Sequence, residues 1–209
     1  WSSDVCSSDL QLAGRIGWKQ SDTQFELTTS KLSLTTSGGL NLRPVDFLLR
    51  QDTDSQGRPV QGEVHANALE LAPLVTLADH LPLGDEVHKR LSEYSPKGTV
   101  SDLVVRWNGA WSEPLQYSIR GRFQNVSLNR SGKIPGFTGV SGSLEANELA
   151  GAVSINARKA TVEMPLVFRD QHTFDTLSAQ VSWTRSGGET ELKLNNVAFS
   201  NAELAGTML

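Results

Sequence analysis

Apolar and polar residues alternate along most of the chain, and this period of two predicts antiparallel β-strands with one apolar face. Val153 and Ile155 alternate with polar residues, and Ala160 and Val162 resume the pattern a few positions later. Gly, Asn and Ser separate the alternating segments, as is typical of turns. The predicted strands are residues 12–18, 24–34, 45–50, 59–68, 99–107, 115–128, 137–147, 150–164, 176–185, 189–199 and 203–208. Such a sheet must cover its apolar face with protein or with a ligand.

The hydrophobic period becomes that of a helix near residues 70–95. Two short helices are predicted, residues 71–81 and 85–94, because Pro82 ends the first and Pro96 ends the second. We expect these helices to cover part of the apolar face, because their own apolar stripes need a partner in an otherwise β chain. The stripe positions are Leu71, Leu74, Val75, Ala78, Leu81, Val87, Leu91 and Tyr94.

A hairpin unit with a tryptophan near the end of its first strand recurs along the chain. Residues 12–18 (LAGRIGW) resemble residues 177–183 (LSAQVSW), and residues 100–107 form a looser copy. Repeats at hairpin spacing are typical of a stacked antiparallel array. We therefore predict a mainly β fold, with long antiparallel strands in a repeating, twisted β-groove-like array and two short helices.

The tryptophans could stack on sugars or anchor the packing of the sheet. Trp18 shares its strand parity with Ile16, and Trp183 shares its parity with Val181, so both are expected on the apolar face. This placement favours packing over a carbohydrate-binding role.

Composition excludes some classes of function, and it separates the first ten residues from the rest of the chain. The net charge of −4 gives no indication of nucleic-acid binding. No apolar run reaches the roughly 20 residues that span a bilayer. Residues 1–10 (WSSDVCSSDL) hold the single cysteine, Cys6, and back-translate to a string that resembles a sequencing-library adapter. We interpret this segment as a disordered artefact and residues 11–209 as a fragment of one larger β domain.

No arrangement of residues predicts catalysis or a metal site. Asp79 and His80, with Asp85, Glu86 and His88, are suitable ligand types, but their spacing does not place two histidines on one helix face. The segment Ser131-Gly-Lys133 lacks the upstream glycine of a phosphate loop. No nucleophile elbow is present in the sequence. We therefore expect no enzyme activity, no metal and no cofactor.

Several motifs in a fixed order carry a family resemblance. They are Leu71-Ala-Pro-Leu74, residues 98–107, residues 135–144 (PGFTGVSGSL), residues 160–169 (ATVEMPLVFR), Phe174-Asp-Thr-Leu177 and Asn201-Ala-Glu-Leu204. Together they resemble the central region of YhdP-type proteins, members of the AsmA-like (repeating β-groove) envelope protein family of Gram-negative bacteria. The similarity runs from about residue 11 to residue 209.

The resemblance implies a periplasmic protein whose inner-membrane anchor lies outside this segment. It implies β-groove units with an apolar concave face, and a part in phospholipid transport between the inner and outer membranes. The implied partners are phospholipid acyl chains and the rest of the same polypeptide, with no nucleic acid.

Strand parity and the resemblance together predict lipid contact at one aliphatic face. The predicted lipid-contact residues are Val153, Ile155, Val162, Val181, Leu192 and Leu194. Two other classes stay open at this point: a closed β-sandwich scaffold of a large envelope protein, and a carbohydrate-binding β-module.

Overall fold

The computed structural model describes residues 10–78, 85–132, 134–163, 171–202 and 204–208. Within these residues, eleven strands form one antiparallel sheet in simple chain order, and two helices lie between the fourth and fifth strands. The elements are β1 Leu10–Gln20, β2 Gln24–Thr36, β3 Asn41–Thr53, β4 Pro59–Glu70, α1 Leu71–Ala78, α2 Asp85–Tyr94, β5 Lys97–Ala110, β6 Glu113–Leu128, β7 Gly136–Asn147, β8 Ala150–Glu163, β9 His172–Ser186, β10 Glu189–Ser200 and β11 Ala205–Met208. The predicted mainly β fold with two short helices is confirmed.

The strands differ from the prediction mainly at their ends. β3 begins at Asn41 rather than at residue 45, because a shift in strand register carries the apolar pattern past Pro44 to Leu42. β9 begins at His172 rather than at residue 176. Of the predicted artefact segment, Leu10 pairs with Thr36 and opens β1, and the other nine residues lie outside the described part of the chain.

Bulges move the apolar pattern from odd to even positions, or from even to odd, within single strands. Lys31, Asn125 and Asn196 have positive φ angles of about 50°, and the strand register shifts at each of them. Side chains of neighbouring strands accept the hydrogen bond from two of these exposed backbone N–H groups. The Lys31 amide donates to Asp46 Oδ1 at 2.8 Å, and the Asn125 amide donates to Ser141 Oγ at 3.0 Å. A bulge of this kind keeps the apolar residues on both sides of it on one sheet face.

The apolar core lies on one face of the sheet. Val140, Ala157 and Ala160 are buried together, and four larger residues pack against them while staying partly exposed: Phe123, Phe137, Ile155 and Leu177. A second buried region includes Leu42 and Val45 of β3. Helix α1 lies mainly against β5, and also against β3 and β4, with Ala78 buried. Of the two helices expected to cover part of the apolar face, α1 lies against the sheet, whereas α2 contacts α1.

The opposite face carries a ladder of alternating charges across β1 to β5. Glu26 lies between Lys19 (3.6 Å) and Arg50 (2.7 Å), and Glu63 lies between Arg50 (3.0 Å) and Arg106 (3.4 Å). The Arg50 guanidinium lowers the pKa of the Glu26 carboxyl below its ordinary value. This face is therefore polar and ordered by cross-strand ion pairs.

Candidate functional site

The predicted lipid-contact residues share one surface, which we call the apolar face: the sheet face that carries Val153, Val181 and Leu194. These three residues form one cross-strand row, because Val153 pairs with Val181 and Val181 pairs with Leu194. Cross-strand partners in register point to the same side of a sheet. Leu192 pairs with Trp183, one row away from Leu194.

Ile155 and Val162 reach the same face on either side of a bulge. Ile155 packs against the buried cluster of Val140, Ala157 and Ala160. Phe137 packs against that cluster too, and Val162 pairs with Phe137. The structure therefore brings all six predicted residues onto one face of β8, β9 and β10.

Exposure of these residues increases toward β10. The four valine and isoleucine positions of β8 and β9 are half-buried, whereas Leu192 is 66% exposed and Leu194 is 44% exposed. Among the six predicted residues, Leu192 and Leu194 are therefore the positions at which a bound molecule would gain most contact without displacing protein.

The apolar face also includes exposed residues that the sequence reasoning did not assign to the site. Strand register places them on the same side as Val153. They are Leu12, Ile16, Trp18, Phe25, Tyr117 and Met208. Strand parity had already grouped Ile16 with Trp18 on the apolar face, and for the other residues it became usable only once the bulges fixed which positions face the same way. An exposed apolar face of this extent is unusual for a protein in water.

The described residues supply little cover to this face. Every described strand belongs to the one sheet, so no second sheet packs on the apolar face within the described residues. Helix α1 lies against β3, β4 and β5 and leaves the β8–β10 region open. A closed sandwich is therefore not formed by the described part of this chain alone.

The tryptophans of β5 and β9 pack on glycines of the preceding strand. Trp107 pairs with Gly62 and Trp183 pairs with Gly151, and a Cβ added to either glycine would overlap the indole ring. Trp107 is only 4% exposed. These two indoles are packing anchors, as the sequence reasoning expected, and they are not free to stack on a sugar.

Two depressions of the described surface lie on the polar face. A depression of about 1030 Å³ is lined by polar-face side chains that include His65, Arg120 and Glu145. A second, of about 510 Å³, continues it across β5 to β9. The twist of a sheet makes it saddle-shaped, so that each face is concave in one direction.

The residues weighed as metal ligands are only partly within the described structure. Glu86 and His88 lie on α2, whereas Asp79 and His80 lie outside the described residues. In the portion that is described, no three His, Cys, Asp or Glu side chains gather as metal ligands. Neither of the two described helices has the length and apolar character needed to cross a membrane.

A single meandering sheet with one charged face and one largely uncovered apolar face defines the class of this protein: an open antiparallel β-array. The model of the YhdP protein family matches residues 5–208, which is nearly the whole chain. The chain belongs to the YhdP family and is thus an AsmA-like envelope protein. No curated protein and no solved structure matches the chain.

Proposed function

We propose that the apolar face holds the acyl chains of phospholipids as they pass between the inner and outer membranes. The observation that supports this proposal is the exposure of large apolar side chains, such as Trp18, Leu192 and Leu194, on the same face as the core. Membership of an envelope protein family is consistent with it.

The hydrophobic effect supplies enough free energy for such a surface to work without specific headgroup contacts. Each CH₂ group transferred from water to an apolar contact gains about 0.8 kcal/mol. β6 has 16 residues and spans about 50 Å at roughly 3.3 Å per residue. A surface of that length accommodates an extended acyl chain along a strand. Weak, repeated contacts of this kind allow movement, whereas one tight site would retain the lipid.

The proposal assigns this segment a periplasmic place and a non-catalytic role. Its partners are phospholipid acyl chains and the remaining segments of the same polypeptide, including an inner-membrane anchor. Holding an acyl chain makes and breaks no covalent bond, so the role requires no cofactor or metal.

Native mass spectrometry of the purified protein tests the proposal. We expect phospholipid adducts on the unmodified chain and their loss from the double variant Leu192→Asp with Leu194→Asp. The matched control is Lys193→Asp, which introduces the same charge on the opposite face of β10 and should leave the adducts in place. Equal lipid content in the three proteins would contradict the proposal and leave a scaffold role for the sheet.

A further inference from the structure

The tryptophans that recur along the chain stand four strands apart. Trp18 lies in β1, Trp107 in β5 and Trp183 in β9. Each pairs on its following strand with a large apolar residue: Leu27, Tyr117 and Leu192, respectively. The sheet is therefore built from a four-strand repeat that begins with the tryptophan-bearing strand.

Two of the three tryptophans have the same partner on the preceding strand. Gly62 of β4 lies opposite Trp107, and Gly151 of β8 lies opposite Trp183. In both pairs the indole lies where a glycine Cβ would be, so no larger residue fits without moving the ring. Within the described residues, β1 is an edge strand, and Trp18 is 72% exposed. In the described part of the chain, Trp18 therefore has no glycine-bearing neighbour of the kind that the other two repeats provide.

The charge ladder ends at the same edge. Glu26, Arg50 and Glu63 each lie between two opposite charges on adjacent strands. Lys19 at the edge has Glu26 on one side, at 3.6 Å, and its side chain is 83% exposed. Continuing the alternation requires an acidic residue on the far side of Lys19.

We propose that the β1 edge binds an antiparallel strand that carries glycine opposite Trp18 and an acidic residue opposite Lys19. Because the partner strand is antiparallel, its sequence runs from the residue opposite Lys19 to the residue opposite Ile16. In that order it has an acidic residue opposite Lys19, a glycine opposite Trp18, any residue opposite Gly17 and an aliphatic residue opposite Ile16. The unpaired backbone groups of an edge strand supply the hydrogen bonds for such an addition. The bound strand is of the same repeat type: it would stand to β1 as β4 stands to β5 and as β8 stands to β9.

A synthetic peptide tests this proposal. The probe has the sequence of residues 149–158 with Ala150→Glu and a fluorescent label on a flexible linker. In the β8–β9 register, this peptide would place Glu opposite Lys19, Gly151 opposite Trp18 and Val153 opposite Ile16. We expect an increase in fluorescence anisotropy with the intact chain at protein concentrations below about 1 mM, which is the weak end of the affinity range.

The matched control is the same peptide with Gly151→Val. We expect it to bind about tenfold more weakly or worse, because the added side chain overlaps the indole ring. With the Trp18→Ala protein, the two peptides should bind alike, because the overlap has been removed. Folding is not at risk, since Trp18 is largely exposed. Absence of binding, or equal binding of the glycine and valine peptides to the unmodified chain, would overturn the proposal.

A second copy of the chain is the competing occupant of the edge. Sedimentation of the protein without peptide distinguishes the two cases. We expect a monomer. A dimer that the Trp18→Ala substitution dissociates would overturn the proposal and assign the β1 edge to self-association. Neither outcome depends on lipid, so this test and the test of the proposed function fail independently.

Discussion

The packing of indole rings on strand glycines leads to a prediction about stability: Gly62→Ala should destabilise the protein. A methyl group at residue 62 would occupy the space of the Trp107 ring, which is buried. Overpacking of this kind costs about 1–3 kcal/mol. Alanine in place of glycine in a strand recovers roughly 0.5–1 kcal/mol of conformational entropy. The expected net loss is about 1–2 kcal/mol in the free energy of unfolding.

Gly121→Ala is the matched control for this substitution. Gly121 is also a strand glycine without a positive φ, but a Cβ there would meet its nearest neighbours at 3.5 Å, an ordinary van der Waals distance. The same entropy gain should then stabilise the protein by about 0.5–1 kcal/mol. Urea unfolding of the two variants measures both free energies.

A double-mutant cycle assigns the effect to the indole ring. In a Trp107→Ala background the Gly62→Ala substitution should no longer destabilise the protein, because the space above residue 62 is empty. The reasoning would be refuted if Gly62→Ala and Gly121→Ala changed the free energy of unfolding in the same direction and by the same amount.

Two further predictions concern the helix and the charge ladder. Leu74→Asp should lower the free energy of unfolding by about 2 kcal/mol, because it places an unpaired charge at a half-buried position of α1. Exposed Ala72→Asp on the same helix should be nearly neutral, and equal effects would show that α1 does not pack on the sheet. Arg50→Met removes the main cause of the lowered Glu26 pKa. Since that stabilisation exists above the ordinary pKa of 4.5 and is lost as pH falls through the folded-state pKa, the stability gap between Arg50→Met and the unmodified chain should shrink from pH 7 to pH 3. A gap that is constant with pH in urea unfolding would contradict this account.

Most of the fold could be predicted because strand alternation is a local signal. In the hairpin of β9 and β10, for example, apolar residues alternate with polar ones between Leu177 and Val181, and turn residues mark the ends of the strands. The two helices were predictable for the same reason, since Pro82 and Pro96 fix where a helical period stops.

The bulges and the indole–glycine pairs could not be predicted, because they depend on cross-strand register. Lys31, Asn125 and Asn196 look like ordinary polar strand residues, although each has a positive φ. The sequence around Gly62 does not indicate that an indole ring covers this glycine. Its partner, Trp107, is 45 positions away in sequence, and their contact requires β4 and β5 to pair in one particular register.

The common face of the six residues could be predicted, but the depressions of the surface could not. Parity within each strand correctly grouped Val153 with Ile155, and Leu192 with Leu194, on a common face. The depressions on the polar face were not foreseen, because the twist of a whole sheet is a property of all its strands together.

Photo-crosslinking in cells tests the central claim most directly. A photoreactive residue is placed in the intact protein at three consecutive positions of β10: Leu192, Lys193 and Leu194. Alternation places the first and third on the apolar face and the second on the polar face. The three variants therefore differ in the sheet face that carries the photoreactive group, while its position along the strand is nearly the same. The account predicts phospholipid adducts at 192 and 194 and none at 193. Absence of lipid at 192 and 194, or equal adducts at all three positions, would contradict it.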